Sequence, residues 1–265
     1  MLHQFSRNEL AIGTKGLDAL RHATVTVVGI GGVGSFAAEA LARSAVGKII
    51  LIDKDIVDIT NINRQLHATT KTIGQSKCEV MKKRILDINP QCIVETLDVF
   101  INRDNIDLVF DQNPDFIVEA VDTILIKSLI IMEAFKQQTP IICSMGAANK
   151  LDPTAFKIAN IWDTRYDPIA KIIRRDLKRA KLGLRKLMVV YSEEKPIVPK
   201  AEVLAVIGNA QSHIRKQEIP PSSNAFVPSV VGLICASFVV NEIIANAGVT
   251  FERKGNELPN NVKTL

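Results

Sequence analysis

The residue types that handle phosphate are concentrated in one early stretch of the chain. Gly29-Ile30-Gly31-Gly32-Val33-Gly34 is followed by Asp53, by Asn61-Ile62-Asn63-Arg64-Gln65 and by Gly74-Gln75-Ser76-Lys77. Glycines placed after a strand allow a tight turn that brings the free N–H groups of the next helix against phosphate oxygens. A side chain there would block the approach. Asp53 stands about 20 residues beyond the turn, where a carboxylate binds ribose hydroxyls. So far this fits any dinucleotide-binding protein. Arg64 and Lys77 do not fit a hydride-transfer site, which has little use for extra cations near the phosphates. They suit a triphosphate under attack, where negative charge must be neutralised in the transition state and on the leaving group. Taken singly, each reads more readily as an ordinary surface cation; their order after the glycine turn carries the reading.

These residues need a scaffold, and the apolar pattern supplies one. Thr24–Val28 and Lys48–Ile52 read as buried strands, the second ending on Asp53. A helix is expected over Ser76–Asn89, a strand over Cys92–Leu97, a strand over Asp115–Asp122, a helix over Ile124–Gln138 and a strand over Pro140–Ser144. Such alternation predicts an α/β, Rossmann-like fold, a mainly parallel sheet with helices on both faces. Ligands gather at the carboxyl ends of such strands, so Gly29, Asp53, Asp122 and Ser144-Met145-Gly146 are expected to face one crevice.

The second half departs from this rhythm and reads as a smaller C-terminal extension. Phe156–Ile161 and Met188–Ser192 read as strands, and residues 192–228, rich in Pro, Ser and charge, as a long excursion. Val230–Val240 is an apolar helix, and Asn241 and Glu242 interrupt it well short of the roughly 20 residues a membrane span requires. A buried helix is therefore expected, with the small residues Gly232, Ala236 and Ser237 suited to close packing. One domain spanning 1–265 is anticipated, its nucleotide half at 1–150 and its substrate and dimer-completing half at 151–265.

With 47% apolar residues among 265, the chain is neither disordered nor fibrous. Thirty-three basic against 28 acidic residues give a net charge of only +5, too little to imply nucleic-acid binding unless it is clustered. It is clustered: Lys171, Arg174, Arg175, Lys178, Arg179, Lys181, Arg185 and Lys186 stand against the single acid Asp176 in that tract. Ile169, Ile172, Ile173, Leu177 and Leu184 recur at helical spacing, so one face can pack while the other presents cations to phosphates. A merely solvated basic helix fits the tract equally well. Cys78, Cys92, Cys143 and Cys235 include no Cys-x-x-Cys pair, so neither zinc nor a disulfide framework is indicated and a reducing, cytoplasmic setting is expected. The first residues lack the apolar core of an export signal.

The glycine turn, the Asn61-x-x-Arg64-Gln65 segment, the Gly74-Gln75-x-Lys77 segment and Val121-Asp122 resemble the adenylating family that includes ubiquitin-activating enzymes and bacterial activators of sulfur-carrier proteins. The resemblance implies ATP and Mg²⁺, with Gly29, Gly31, Gly32, Gly34, Asp53, Asn61 and Gln65 in the nucleotide pocket. Arg64 and Lys77 would contact the phosphates and Asp122 would hold Mg²⁺. Arg7, in Phe5-Ser6-Arg7, matches the family's arginine that reaches into a partner subunit's ATP site, which implies a homodimer. From the residues alone, Asp122 has a second reading, since Asp after a strand commonly caps the following helix.

Further segments look like one branch of that family, the tRNA threonylcarbamoyladenosine dehydratases. They are 144–153, 161–168, the basic tract, 190–196 and Phe226-Val227-Pro228-Ser229. The branch implies that ATP activates the carboxylate of the threonylcarbamoyl group on an adenosine beside the tRNA anticodon. A nitrogen of the same side chain then closes a ring and expels AMP. Such intramolecular attack needs no enzyme nucleophile. The partners implied are tRNA, bound through Arg174, Arg175, Lys178, Arg179, Lys181, Arg185 and Lys186, and a cysteine desulfurase system, with Cys235 the candidate sulfur acceptor; no DNA partner is expected. Two other readings stay open. An activator of a carrier protein would need a Gly-Gly-tailed partner, and an oxidoreductase would bind NAD(H) instead of ATP.

Overall fold

A computed structural model describes residues 2–198, 200–203 and 221–251. Strands β1 (Thr24–Val28), β2 (Lys48–Ile52), β3 (Ile93–Leu97), β4 (Phe116–Glu119), β5 (Ile141–Ser144), β6 (Phe156–Asn160) and β7 (Met188–Ser192) form one sheet in the order β3-β2-β1-β4-β5-β7-β6. Every pairing is parallel except the edge pair β6 with β7. Val25, Val27, Val28, Ile49, Ile50 and Leu51 are buried whichever face they point to, as strands covered on both sides require. The covering helices are α1 (Ser6–His22), α2 (Gly34–Arg43), α3 (Lys77–Ile88), α4 (Ile124–Gln137), α5 (Pro168–Arg179) and α6 (Val227–Asn246). One core packs Val25, Val27 and Ile49 against Ala37, Leu41, Met81 and Val239; the other packs Val28, Ile50 and Ile117 against Ile130, Ile131, Ile173 and Leu177. The strand order reverses between β1 and β4, and a crevice opens at that switch point.

Three elements differ from the sequence reading. Helix α1 was not foreseen: Gly13 interrupts it at φ +71°, and within it only Gly16, Leu17 and Leu20 are buried, so its apolar signal is weak. Strand β4 stops at Glu119, which puts Asp122 in the loop beyond it. Helix α6 starts at Val227 and continues through Asn241 and Glu242, which are exposed, to reach the buried Ile244. It is thus long and apolar enough to cross a membrane by length and composition, with a mean hydropathy of 1.9. In the fold it lies on α2: a Cβ at Gly232 would fall 2.2 Å from the Val33 carbonyl oxygen. Ala236 is buried, whereas Ser237 is exposed and accepts from Asn241 instead of packing. Much of the expected excursion, at 199 and 204–220, lies outside the described residues.

Candidate active site

The glycine turn is shaped by two contacts that only glycine permits. Gly29 follows β1 with φ +87°, and a Cβ there would come within 2.8 Å of the Ala120 backbone. Gly34 opens α2, and its Cβ would fall 1.8 Å from the Gly29 carbonyl oxygen. By contrast, a Cβ at Gly31 would meet nothing closer than Gln65 Nε2 at 3.9 Å, so that side of the turn is open. No side chain caps α2, which leaves its start suited to an anion.

Asp53 ties this turn to the end of β2. Its Oδ2 accepts from the Ile30 N–H at 2.6 Å and its Oδ1 from the Asp55 N–H at 2.9 Å. Burial pushes the carboxyl above its ordinary range, and the Lys77 charge opposes that shift. Lys77 is the first residue of α3, whose N-cap Ser76 accepts from the Glu79 N–H. Buried to 5% exposure, its Nζ pairs with Asp55 Oδ2 at 2.8 Å. Arg64 donates through Nη1 to the Thr60 carbonyl at 2.7 Å and to Asn63 Oδ1 at 2.9 Å. Gln65 is buried, and its Oε1 has no partner among the described residues. Partial burial lowers the pKa of Arg64 from its ordinary value.

Gly29, Gly32, Asp53, Asp55, Arg64, Gln65, Lys77, Asp122 and Ser144-Met145-Gly146 line one crevice of about 660 Å³, the meeting point expected from the sequence. That volume suits a nucleotide-sized ligand. Asn61 is not among the lining residues: its Oδ1 accepts from the Asp58 N–H at 3.1 Å, so it braces the turn that presents Arg64 and Gln65. Asp122 is exposed at the rim and accepts from Thr123 Oγ1 at 3.3 Å. The N-cap of α4 is Thr123, so the capping role considered for Asp122 is not the one adopted. No group of three or more metal-ligating side chains forms among the described residues. Mg²⁺ needs none, since it is commonly held by one or two carboxylates together with substrate phosphates and water. Arg7 is exposed in the first turn of α1 and does not line the crevice of its own chain.

Two buried polar residues escaped the sequence reading, and the first of them lines the crevice. Lys127 of α4, 1% exposed, donates to Glu119 of β4 and, at 2.9 Å, to the Ser144 carbonyl. The available signal was a lone Lys inside Ile124-Leu125-Ile126-Lys127-Ser128-Leu129-Ile130-Ile131, because a charge in a buried element must be paired. His67, close behind Gln65 in sequence, is also buried with both ring nitrogens unpartnered among the described residues. Burial, helped by the Lys77 charge, lowers its pKa to about 4 and keeps it neutral.

The basic tract divides in two. Helix α5 buries Ala170, Ile173 and Leu177, as its periodicity required, but Leu184 is 94% exposed beyond the helix end. Arg174 is partly buried and Arg185 is exposed, and both are bonded to the fold. Arg174 donates to the carbonyls of Ile161 and Thr164, and Arg185 stacks on Phe135 and donates to its carbonyl. Lys171, Arg175, Lys178, Arg179, Lys181 and Lys186 remain exposed. Of these, Arg175 pairs with Asp176 and Lys178 lies over the Trp162 ring.

Cys235 makes a poor sulfur acceptor, since it is fully buried and burial pushes its thiol up to about 12. Cys92 is pushed up to about 11, and burial also raises Cys78 and Cys143. The native protein should therefore resist iodoacetamide at pH 8, with all four thiols labelled only after denaturation. Mass spectrometry of both samples checks this, and rapid native labelling of Cys235 would return it to candidacy.

A glycine turn on a parallel sheet, with two cations and a rim carboxylate over one crevice, is the equipment of a nucleotide-dependent adenylating protein. The chain belongs to the ThiF family, which it matches over residues 5–245. It is 54% identical over 245 residues to the tRNA threonylcarbamoyladenosine dehydratase of Bacillus subtilis, covering 92% of this chain and 96% of that one. The Escherichia coli protein of the same name is 34% identical, over 89% of this chain and 91% of its own. The crystal structure of the E. coli tRNA N6-threonylcarbamoyladenosine dehydratase in complex with ATP superposes with a TM-score of 0.81 at 31% identity, covering 92% of this chain and 95% of that one.

Proposed function

We propose that this chain is an ATP-dependent dehydratase acting on tRNA that carries threonylcarbamoyladenosine. The observation that carries the proposal is the convergence of Arg64, Gln65 and Lys77 on one crevice with Gly29 and Gly32 of the glycine turn. The substrate carboxylate attacks the α-phosphorus of ATP, forming an acyl-adenylate and releasing pyrophosphate. A neighbouring nitrogen of the same side chain then attacks the activated carbonyl carbon, loses its proton and expels AMP. The sum is ring closure with loss of one water. Arg64 and Lys77 take up the charge that develops on the phosphates. Lys77 moves from Asp55 to a phosphate oxygen as the nucleotide enters. Mg²⁺, when bound by Asp122, supplies further neutralisation of the phosphates.

The exposed cations of α5 form the surface offered to the RNA backbone, where each contact with a phosphate strengthens binding in a salt-dependent way. Arg7 is proposed to act in a partner's crevice across a homodimer. Its exposure supports this, as do the exposed apolar residues Leu10 on α1 and Leu233 on α6, which suit an interface. The setting is proposed to be cytoplasmic. A desulfurase remains a candidate partner only through a route that does not use the buried thiol of Cys235.

The test is AMP release by the purified protein with tRNA carrying threonylcarbamoyladenosine and with tRNA lacking it, while the nucleoside is followed for the mass of one water. AMP release coupled to that loss, with modified tRNA only, is the expected result. Indifference to tRNA together with exchange driven by a Gly-Gly-tailed carrier protein would transfer the chain to the carrier-activating reading.

A further inference from the structure

Beneath the crevice lies an ion pair that the chemistry above does not use. Glu119, the last residue of β4, is wholly buried, and its two oxygens have different duties: Oε1 accepts from the Val121 N–H at 2.9 Å and Oε2 from Lys127 Nζ. Lys127 Nζ also donates to the Ser144 carbonyl at the end of β5. Strands β4 and β5 are neighbours, paired from Ile117 with Ile141 to Glu119 with Cys143. Beyond those pairings the strand ladder ends. The chain runs on from β4 into Val121-Asp122 and from β5 into Met145-Gly146, and both segments line the crevice. The lysine and the glutamate therefore join the two strand ends where backbone pairing no longer does.

We infer that Lys127 and Glu119 are positioning residues that hold the Val121-Asp122 loop and the Ser144–Gly146 segment at a fixed separation for adenylation. Stability alone does not account for so costly an arrangement. Two buried charges cost several kcal/mol each in desolvation, and well-packed apolar residues often replace such a pair without loss. Burial pushes the Glu119 carboxyl upward, and Lys127 pulls it back toward the ionised form. Neither Arg64 nor Lys77 is bonded to this pair, so the grip on the phosphates should survive its removal while the alignment of the reacting groups should not. Misplacement by about 1 Å costs about 10²-fold in rate.

The inference rests on the dehydratase reading for its substrate, and two variants test it: Glu119→Gln with Lys127→Met in one chain, and Lys127→Arg alone. Removing both charges avoids stranding either one in the interior. The double variant should fold, keep its KM for ATP within about twofold and lose at least about tenfold in kcat for AMP formation. Lys127→Arg, which keeps the charge and the donors, should retain more activity than the double variant. A folded double variant with wild-type kcat would overturn the inference. So would its failure to fold, which would assign the pair to global stability. If the wild type forms no AMP with modified tRNA, the substrate assignment fails instead. Hydrogen exchange of the amides at 121–122 and 145–146, faster in the double variant than in the wild type, then decides for or against the positioning role on its own.

Discussion

Lys77→Ala is expected to reduce kcat for AMP formation by about 10²–10³-fold, the cost of removing one preorganised group that stabilises transition-state charge. The loss should be catalytic in kind. Lys77 is the first residue of α3, where alanine is tolerated, and its side-chain partner Asp55 is half exposed and can be solvated by water. Arg64→Ala should fall in the same range: its guanidinium bonds, to the Thr60 carbonyl and Asn63, lie within a surface turn. Circular dichroism and thermal melting separate the two causes, and both variants should melt within a few degrees of wild type. Near-normal turnover in both would withdraw the catalytic assignment from Arg64 and Lys77 together.

The second large effect concerns the turn itself, where Gly34 and Gly31 should respond to the same substitution in opposite ways. Gly34→Ala places a Cβ 1.8 Å from the Gly29 carbonyl oxygen, a backbone atom that cannot rotate away. Relieving the overlap requires α2 to leave β1, so a loss of about 3 kcal/mol or more is expected, with a lower melting temperature and poor soluble yield. Gly31→Ala meets only Gln65 Nε2, at an ordinary contact distance of 3.9 Å, and should leave the melt unchanged, yet it puts a methyl group where a phosphate is proposed to approach, raising KM for ATP by about tenfold. Melting curves and ATP titrations on the two variants make the comparison. A destabilised Gly31→Ala with normal ATP binding would mean that the phosphates sit elsewhere.

The parts of this protein that were legible from residues alone are those whose signal is local. β1 and β2 are mostly apolar, with Thr24, Thr26 and Lys48 the exceptions, because both their faces are covered, and the glycine turn, Asp53, Arg64 and Lys77 come after them at spacings that mirror the order of the elements. Helix α1 was opaque because Gly13 breaks its period and most of its surface faces water. Asp122 was read as a strand terminus because Val121 continues the apolar run after backbone pairing has ended at Glu119. The division of the basic tract was hidden for another reason. A charge count does not distinguish Arg174, which is partly buried and donates to carbonyl oxygens of the fold, from Lys171 or Arg179, which face solvent. The Glu119–Lys127 pair depends on how β4 lies against α4, and periodicity carries no record of that.

Helix α6 has a consequence for how this molecule can come into being. Pro228, in its first turn, lies where a Cβ on Gly32 would come within 3.0 Å, and Gly232, one turn further, rests on the Val33 carbonyl. The wall behind the nucleotide turn is thus made by a segment translated long after the turn itself. A nascent chain that has emerged only through β5 holds the glycines, Asp53, Arg64, Lys77 and Asp122, yet α2 lacks its cover and the crevice lacks one side. The nucleotide pocket is therefore among the last features to mature during synthesis, and gene dissection cannot release the early half as a free-standing ATP-binding module.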